Sequence, residues 1–370
     1  AKGFAVLDEA MLPVLAEQVP PEWAGDIYCT MIHVCHELAD LRRMREWTEA
    51  MERWCQKFSS AVMFAGICSV HRLELLSTEG YWDQVEQELG SACTALEGKN
   101  GWVAGEGFYQ LGEILRLRGD YRAAQHHFDR ARAFGIDPQP GEALLQAANH
   151  EVDAAWAGLR SALEGRDQLA RTRLLGSIVD LALTKGLEDD AVQACAELES
   201  IAAQFGSPGF LAWARHARGT VLVHQSRDSE ALTVLHAALR AYQDLHAIHD
   251  VARVHELIAR AHRNQGQHDL ARADTEAALT IYRQLRAQPD IRRLSEARAC
   301  PGGLTARELE VLRQIASGAS NREVGASLFI TEKTVARHLA NIFAKIGVSS
   351  RTAAAAWAHS NDVTSSRISS

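Results

Sequence analysis

Proline is scarce, eight residues in 370, and runs that alternate β-branched with polar residues are nearly absent. Strands need that alternation, so a sheet-based fold is excluded, and few positions force a helix to break. No apolar run reaches the ~18–20 residues that span a bilayer. The opening, Ala1 to Glu17, carries acidic residues and no signal-peptide layout, which predicts a cytoplasmic protein without a membrane partner. The first residue is Ala rather than Met, so the chain is expected to be trimmed or cut from something longer. Cysteines number seven, an odd count with no C-x-x-C pair, which suits reduced thiols better than a disulfide framework. No G-x-x-x-x-G-K-[ST] loop occurs and Gly98-Lys99 stands without one, so ATP hydrolysis is not expected. No nucleophile motif and no cofactor motif is found, so the chain is not read as an enzyme.

What the chain has is Ala, Leu, Arg and Glu, good helix formers, in amphipathic periods up to residue 297. These periods repeat. Counting from a turn residue, positions five, nine and twelve further on are small or apolar: Val85, Leu89 and Ala92 after Gly80; Ala124, Phe128 and Ala131 after Gly119; Ala191, Cys195 and Leu198 after Gly186; Ala231, Leu235 and Ala238 after Ser226; Ala271, Thr275 and Ala278 after Gly266. The spacings are 39, 67, 40 and 40 residues. The long gap fits a degenerate unit near Ala154, Gly158 and Ser161, and an earlier unit fits Trp47, Met51 and Trp54, making about seven helix pairs. The stretch from Leu111-Gly112 through Gly119-Asp120-Tyr121 to Pro138 resembles the tetratricopeptide (TPR) consensus. Its period is longer than the usual ~34 residues, so a TPR-like array with longer helices is expected; a plain helical array without a superhelix is the alternative. Such arrays present concave surfaces to peptides or proteins.

Pro301-Gly302-Gly303 breaks the pattern. Beyond it Thr305 with Glu308, and Ser320 with Glu323, form two capping-box patterns. The first opens a helix ending near Gly318, the second a short helix ending near Phe329. Thr331 caps a third helix running to Ile346, with Gly347 placed to end it, and a fourth starts near Arg351. At 100° per residue, Val335, Leu339, Ile342 and Ile346 share one face of the third helix. Lys333, Arg337, Ala340, Asn341, Ala344 and Lys345 lie opposite. A small, polar and basic outer face suits a helix entering the DNA major groove.

Here the sequence resembles the LuxR-type DNA-binding domain. The matching strings are Leu304-Thr305-Ala306-Arg307-Glu308-Leu309-Glu310-Val311-Leu312, Gly318-Ala319-Ser320-Asn321-Arg322-Glu323-Val324, Thr331-Glu332-Lys333-Thr334-Val335-Ala336-Arg337-His338, Lys345-Ile346-Gly347-Val348 and Arg351. The resemblance implies a four-helix domain, transcriptional regulation on double-stranded DNA, and self-association through the C-terminal helix. It places Ala336, Arg337 and Ala340 at base-facing sites. Ala336 and Ala340 depart from the longer polar residues common there, so Arg337, Lys333 and Asn341 are expected to carry more of the recognition. Thr331 lies at the recognition-helix N-terminus, and Ser320, Asn321, Thr334, Lys345 and Arg351 are expected on phosphates. Competing structural roles are caps for Thr305, Glu308, Ser320 and Glu323, a helix-dipole partner for Lys345, and packing for His338. Upstream, Asp40-Leu41-Arg42-Arg43, Glu46-Trp47-Thr48-Glu49-Ala50, Arg53-Trp54-Cys55 and Val70-His71-Arg72-Leu73-Glu74 look like helical-repeat regions of actinobacterial LuxR-type regulators.

Other constellations carry less. Cys29, His33 and His36 share a helix face, with Cys35 near by, and could hold zinc. No fourth ligand can be named, so packing is the preferred reading and no metal is assigned. Half of the sixteen histidines fall between His216 and His268, as scattered surface residues or a pH-sensing cluster. Trp47, Trp54, Trp82, Trp156 and Trp213 are read as repeat packing.

The expected fold is all-α: a TPR-like helical-repeat solenoid over residues 1–297, a linker 298–303, a four-helix LuxR-type helix-turn-helix domain 304–359, and a disordered tail 360–370. The expected function is sequence-specific DNA binding and transcriptional regulation, with an unknown protein, peptide or small-molecule effector on the repeats. Two alternatives are a helical-repeat interaction scaffold whose C-terminal domain serves dimerisation, and the C-terminal part of an ATP-regulated LuxR-type regulator. The net charge of −8 is unevenly placed. Residues 304–359 hold seven basic and four acidic residues, the tail one of each, and residues 1–303 the remaining 31 and 42. The acidity therefore belongs to the repeats.

Overall fold

A computed structural model describes residues 2–57, 62–299, 301–361 and 363. Among them there is no strand, and no helix is long and apolar enough to cross a membrane. The chain divides into two compact units, 1–288 and 289–370.

The first unit contains α1 (Lys2–Leu15), α2 (Pro21–Glu37), α3 (Leu41–Lys57), α4 (Val62–Thr78), α5 (Trp82–Leu96), α6 (Gly101–Arg118), α7 (Tyr121–Ala133), α8 (Gly141–Ala148) and α9 (Val152–Leu163). It continues with α10 (Gln168–Lys185), α11 (Glu188–Phe205), α12 (Pro208–His224), α13 (Asp228–Leu245), α14 (Ile248–Asn264) and α15 (His268–Leu285). From α2 onward these form seven antiparallel pairs. Each pair turns on one residue with positive φ: Ala39, Gly80, Gly119, His150, Gly186, Ser226 and Gly266. The left-handed residue ends the first helix, and the second starts within two residues.

The five-nine-twelve spacing lies on the buried face of each second helix. Phe128, Cys195 and Leu235 have no exposed surface. Phe128 and Leu235 enter because the facing first helix carries a glycine at that level: a Cβ on Gly112 would lie 2.6 Å from the Phe128 ring, and one on Gly219 would meet Leu235. Two units depart from the expected frame. His150, not a glycine, makes the α8–α9 turn, so Ala155 and Leu159 are buried while Ala154 and Ser161 are exposed. Ala39 makes the α2–α3 turn, so the five-nine-twelve positions are Met44, Thr48 and Met51; of the expected Trp47, Met51 and Trp54, the last two are buried and Trp47 is half-buried. In both cases the turn residue carries a side chain, and a frame anchored on glycine slips.

Successive pairs curl until the array meets itself. Ser207, ahead of α12, donates its hydroxyl to the Leu38 carbonyl in the α2–α3 turn. Arg173 of α10 reaches back to His36 and Glu37 of α2. Arg286, past α15, donates to Asp83 of α5 at 3.2 Å, and the Trp82 and His249 rings lie 5.8 Å apart. The concave side is therefore bounded by helices from both ends of the array, around a half-open cavity of about 450 Å³.

After α16 (Gln288–Ala299) and a short turn at Pro301–Gly303, the second unit forms α17 (Ala306–Ala316), α18 (Asn321–Leu328), α19 (Glu332–Ile346) and α20 (Arg351–Ser360). Cys300, inside the expected linker, lies outside the described residues. Val311, Leu312, Val324, Val335, Ile342 and Ala358 form the centre of the core. Val363 joins this core and accepts a hydrogen bond from Arg313 Nε at 3.0 Å. Asp362 and residues 364–370 of the expected disordered tail lie outside the described residues.

Candidate nucleic-acid interface

Local chemistry builds each helix of the second unit. Thr305 Oγ1 accepts from the Glu308 N–H, and Glu308 accepts from the Thr305 N–H at 2.8 Å. Ser320 and Glu323 repeat this reciprocal pair at α18. The Ser320 N–H bond holds the Glu323 carboxyl below its usual range. Thr331 Oγ1 accepts from the Thr334 N–H at 3.1 Å, and Gly347 ends α19 with φ 68°. The α18–α19 turn passes through Phe329 at φ 55°.

α19 lays Val335, Leu339 and Ile342 into the core. Lys333, Ala336, Arg337, Ala340 and Asn341 stand on its exposed side, together with Ala344 and Lys345. Two cations and an amide thus flank methyl-sized side chains, a surface that can approach a groove closely and donate to base edges or phosphates. His338 is half-buried at the edge of the apolar face, and burial lowers its pKa, opposed by the Glu308 charge.

The remaining expected contacts also hold the unit together. Lys345 Nζ lies 2.5 Å from Glu308 Oε2, and that carboxyl is almost wholly buried. Arg351 donates to Asn321 Oδ1 at 3.0 Å and to the Ala319 carbonyl, tying α20 to the start of α18. Thr331 and Thr334 pair their hydroxyls at 2.8 Å. Ser320, Asn321 and Arg351 thus meet at one place, and Lys345 leans toward α17. Sequence reasoning missed Gly325: a Cβ there would lie 2.7 Å from the Ile330 carbonyl oxygen, so only glycine lets α18 meet the turn this closely. A glycine inside an eight-residue helix was the available signal. It also missed Arg307, which donates to the Leu328 carbonyl at the end of α18.

Fold and face together define a helix-turn-helix module of the nucleic-acid-binding kind. Residues 303–358 match the family model described as bacterial regulatory proteins, luxR family. The C-terminal domain is thus a LuxR-type helix-turn-helix domain. It is 57% identical over 58 residues to the transcriptional regulatory protein LiaR of Bacillus subtilis, covering 16% of this chain and 28% of that protein. It is 53% identical over 58 residues to the CsgBAC operon transcriptional regulatory protein of Escherichia coli, covering 16% and 27%. Against the nitrate/nitrite response regulator protein homolog of Haemophilus influenzae the identity is 55% over 51 residues, 14% and 24% of the two chains. The chain spans under a third of the length of these relatives.

Proposed function

We propose that this protein is a cytoplasmic, sequence-specific DNA-binding transcriptional regulator whose helical array binds an effector. The carrying observation is the exposed row Lys333, Ala336, Arg337, Ala340 and Asn341 on α19. α19 enters the major groove, with Arg337 and Lys333 donating to guanine edges or phosphates and Asn341 to a neighbouring base. Ser320, Asn321, Thr331, Thr334 and Arg351 position the backbone, and Lys345 adds charge while holding α17. Two copies pair through α20, whose outer side carries the small residues Thr352 and Ala356, and read half-sites about one helical turn apart. Nothing in this reading requires catalysis by the chain.

The test is a gel-shift titration on promoter fragments recovered by genomic footprinting, at several salt concentrations. Arg337→Ala should weaken specific binding by roughly 1–3 kcal/mol and relax preference at one base pair, while the variant stays folded by thermal melting. Unchanged affinity and sequence preference would remove Arg337 from the interface. A wild-type chain with no specific over non-specific ratio would sink the reading as a whole.

A further inference from the structure

The half-open cavity of the first unit carries an excess of carboxylates. Leu75, Trp213 and Leu245 give it apolar wall, and its volume of about 450 Å³ is that of a small-molecule site. Three glutamates also line it, Glu37 from α2, Glu74 from α4 and Glu106 from α6, besides Asp137, which pairs with Arg166, and Asp250. Glu74 is 4% exposed; its Oε2 lies 3.2 Å from His71 Nδ1, and its Oε1 has no hydrogen-bond partner. Glu106 Oε2 is likewise buried without a partner, 3.9 Å from His36 Nδ1. Buried acceptors left without donors are rare and costly in a folded protein, and their presence marks where a donor belongs.

The groups already present do not meet that demand. Arg173 is the cation facing these glutamates from α10, and its Nη2 is engaged by the His36 carbonyl at 3.1 Å and Glu37 Oε1 at 3.2 Å. It also lies 3.3 Å from both ring nitrogens of His36. Burial, then the Arg173 charge, depresses His36 to about 3, so its ring stays neutral. Burial, then the Glu74 charge, pushes Glu106 up to about 8, with Arg173 opposing. His33, His36 and Glu37 do bring ligand atoms within 4.8 Å of one another, but without Cys29. A guanidinium already sits against two of the three, so a metal ion there would face its charge.

We propose that this cavity binds a small organic cation, an amine whose ammonium N–H groups donate to Glu74 and Glu106 while its apolar body lies along Leu75, Trp213 and Leu245. This amine is the effector of the reading above, and the assignment rests on that reading for its regulatory consequence. A cavity of about 450 Å³ suits a compact ligand better than an extended peptide. Binding at neutral pH draws the Glu106 proton off, because the ammonium replaces the missing counter-charge. The charged and titratable groups facing Glu106 in that event are His36 and Glu37 from α2, His71 and Glu74 from α4, and Arg173 from α10.

Three indoles of one size and different charge provide the test: tryptamine, tryptophol and indole-3-propionate, titrated calorimetrically into the full chain. Tryptamine should bind, with tryptophol about tenfold weaker or worse and the anion weaker still. Tryptamine heats should vary with buffer ionisation enthalpy as Glu106 loses its proton. Glu106→Gln, which keeps the shape of the neutral acid, should bring tryptamine down to the affinity of tryptophol and abolish the buffer dependence. Glu74→Gln provides a second variant, and thermal melting reports whether each is folded. Equal or tighter binding of tryptophol or the anion overturns the amine assignment and leaves an effector of other chemistry. No binding of tryptamine at millimolar concentration also overturns it, and the DNA-binding reading then stands or falls on its own gel-shift titration.

Discussion

Lys345 serves two demands at once. Its ammonium meets a carboxyl that is 5% exposed and already bound into the Thr305 cap. Removing it leaves a buried charge with one donor fewer, which costs about 1–3 kcal/mol. Lys345→Ala should therefore lower both the melting temperature of the C-terminal domain and its DNA affinity, whereas Lys333→Ala should lower affinity alone; melts and gel shifts on the two variants separate these roles. Glu106 has its own signature. Its folded pKa, about 8, lies above the unfolded carboxyl value. The folded state thus holds a proton that the unfolded state has lost between roughly pH 4.5 and 8. Stability contributed by this group is present below that window and is lost as pH rises through it. The first unit should be less stable at pH 9 than at pH 6, by a difference on the order of 2–3 kcal/mol for an effectively buried acid, and Glu106→Gln should flatten the profile.

At the scale of elements, the four helices α17–α20 were legible at their starts and ends, whereas α16, read as part of the repeats, groups with the second unit. Thr305, Ser320, Thr331 and Gly347 are caps whose chemistry is local, and a three-residue reach is enough to read them. The positional role of Gly325 was not legible, because the Ile330 carbonyl that excludes a side chain is fixed only once the turn has closed. Gly325→Ala should cost about 1–3 kcal/mol through overpacking and displace α19 relative to α18. DNA affinity should then fall by more than the loss of folded protein explains, a comparison that gel shifts at several temperatures can make. The repeats were legible where glycine or Ser226 marks the turn and slipped where Ala39 and His150 do. At Ala39 and His150 the left-handed backbone falls on residues that the five-nine-twelve frame did not mark as turns.

At the scale of the whole helical unit, the sequence carries a period of about 40 residues but no mark of where the array meets itself. Contacts such as Ser207 to Leu38 join turns four pairs apart, and each partner looks like an ordinary surface residue in its own repeat. The cavity was unreadable for the same reason: Glu37, Glu74 and Glu106 come from three neighbouring pairs, and Arg173, Trp213 and Leu245 join them only after the curl. The seam can be tested directly. A Cβ on Gly209 would run into the Ala39 backbone carbonyl, which cannot rotate away. Gly209→Ala should raise amide hydrogen exchange across α2, α3 and the start of α12, while α17–α20 exchange as in wild type; unchanged exchange at α2 and α3 would mean the seam holds nothing.

Open solenoids fold by local steps, each repeat docking on its neighbour. Here Arg286 and Asp83 are 203 positions apart, so the last contacts require a long loop to close before they return any stabilisation. This all-helical unit should thus reach its native state in two stages: rapid stacking of pairs, then a slower joining of distant pairs, with kinetics closer to those of a long-range β topology than of a bundle. The seam makes closure, rather than helix formation, the step that commits the chain.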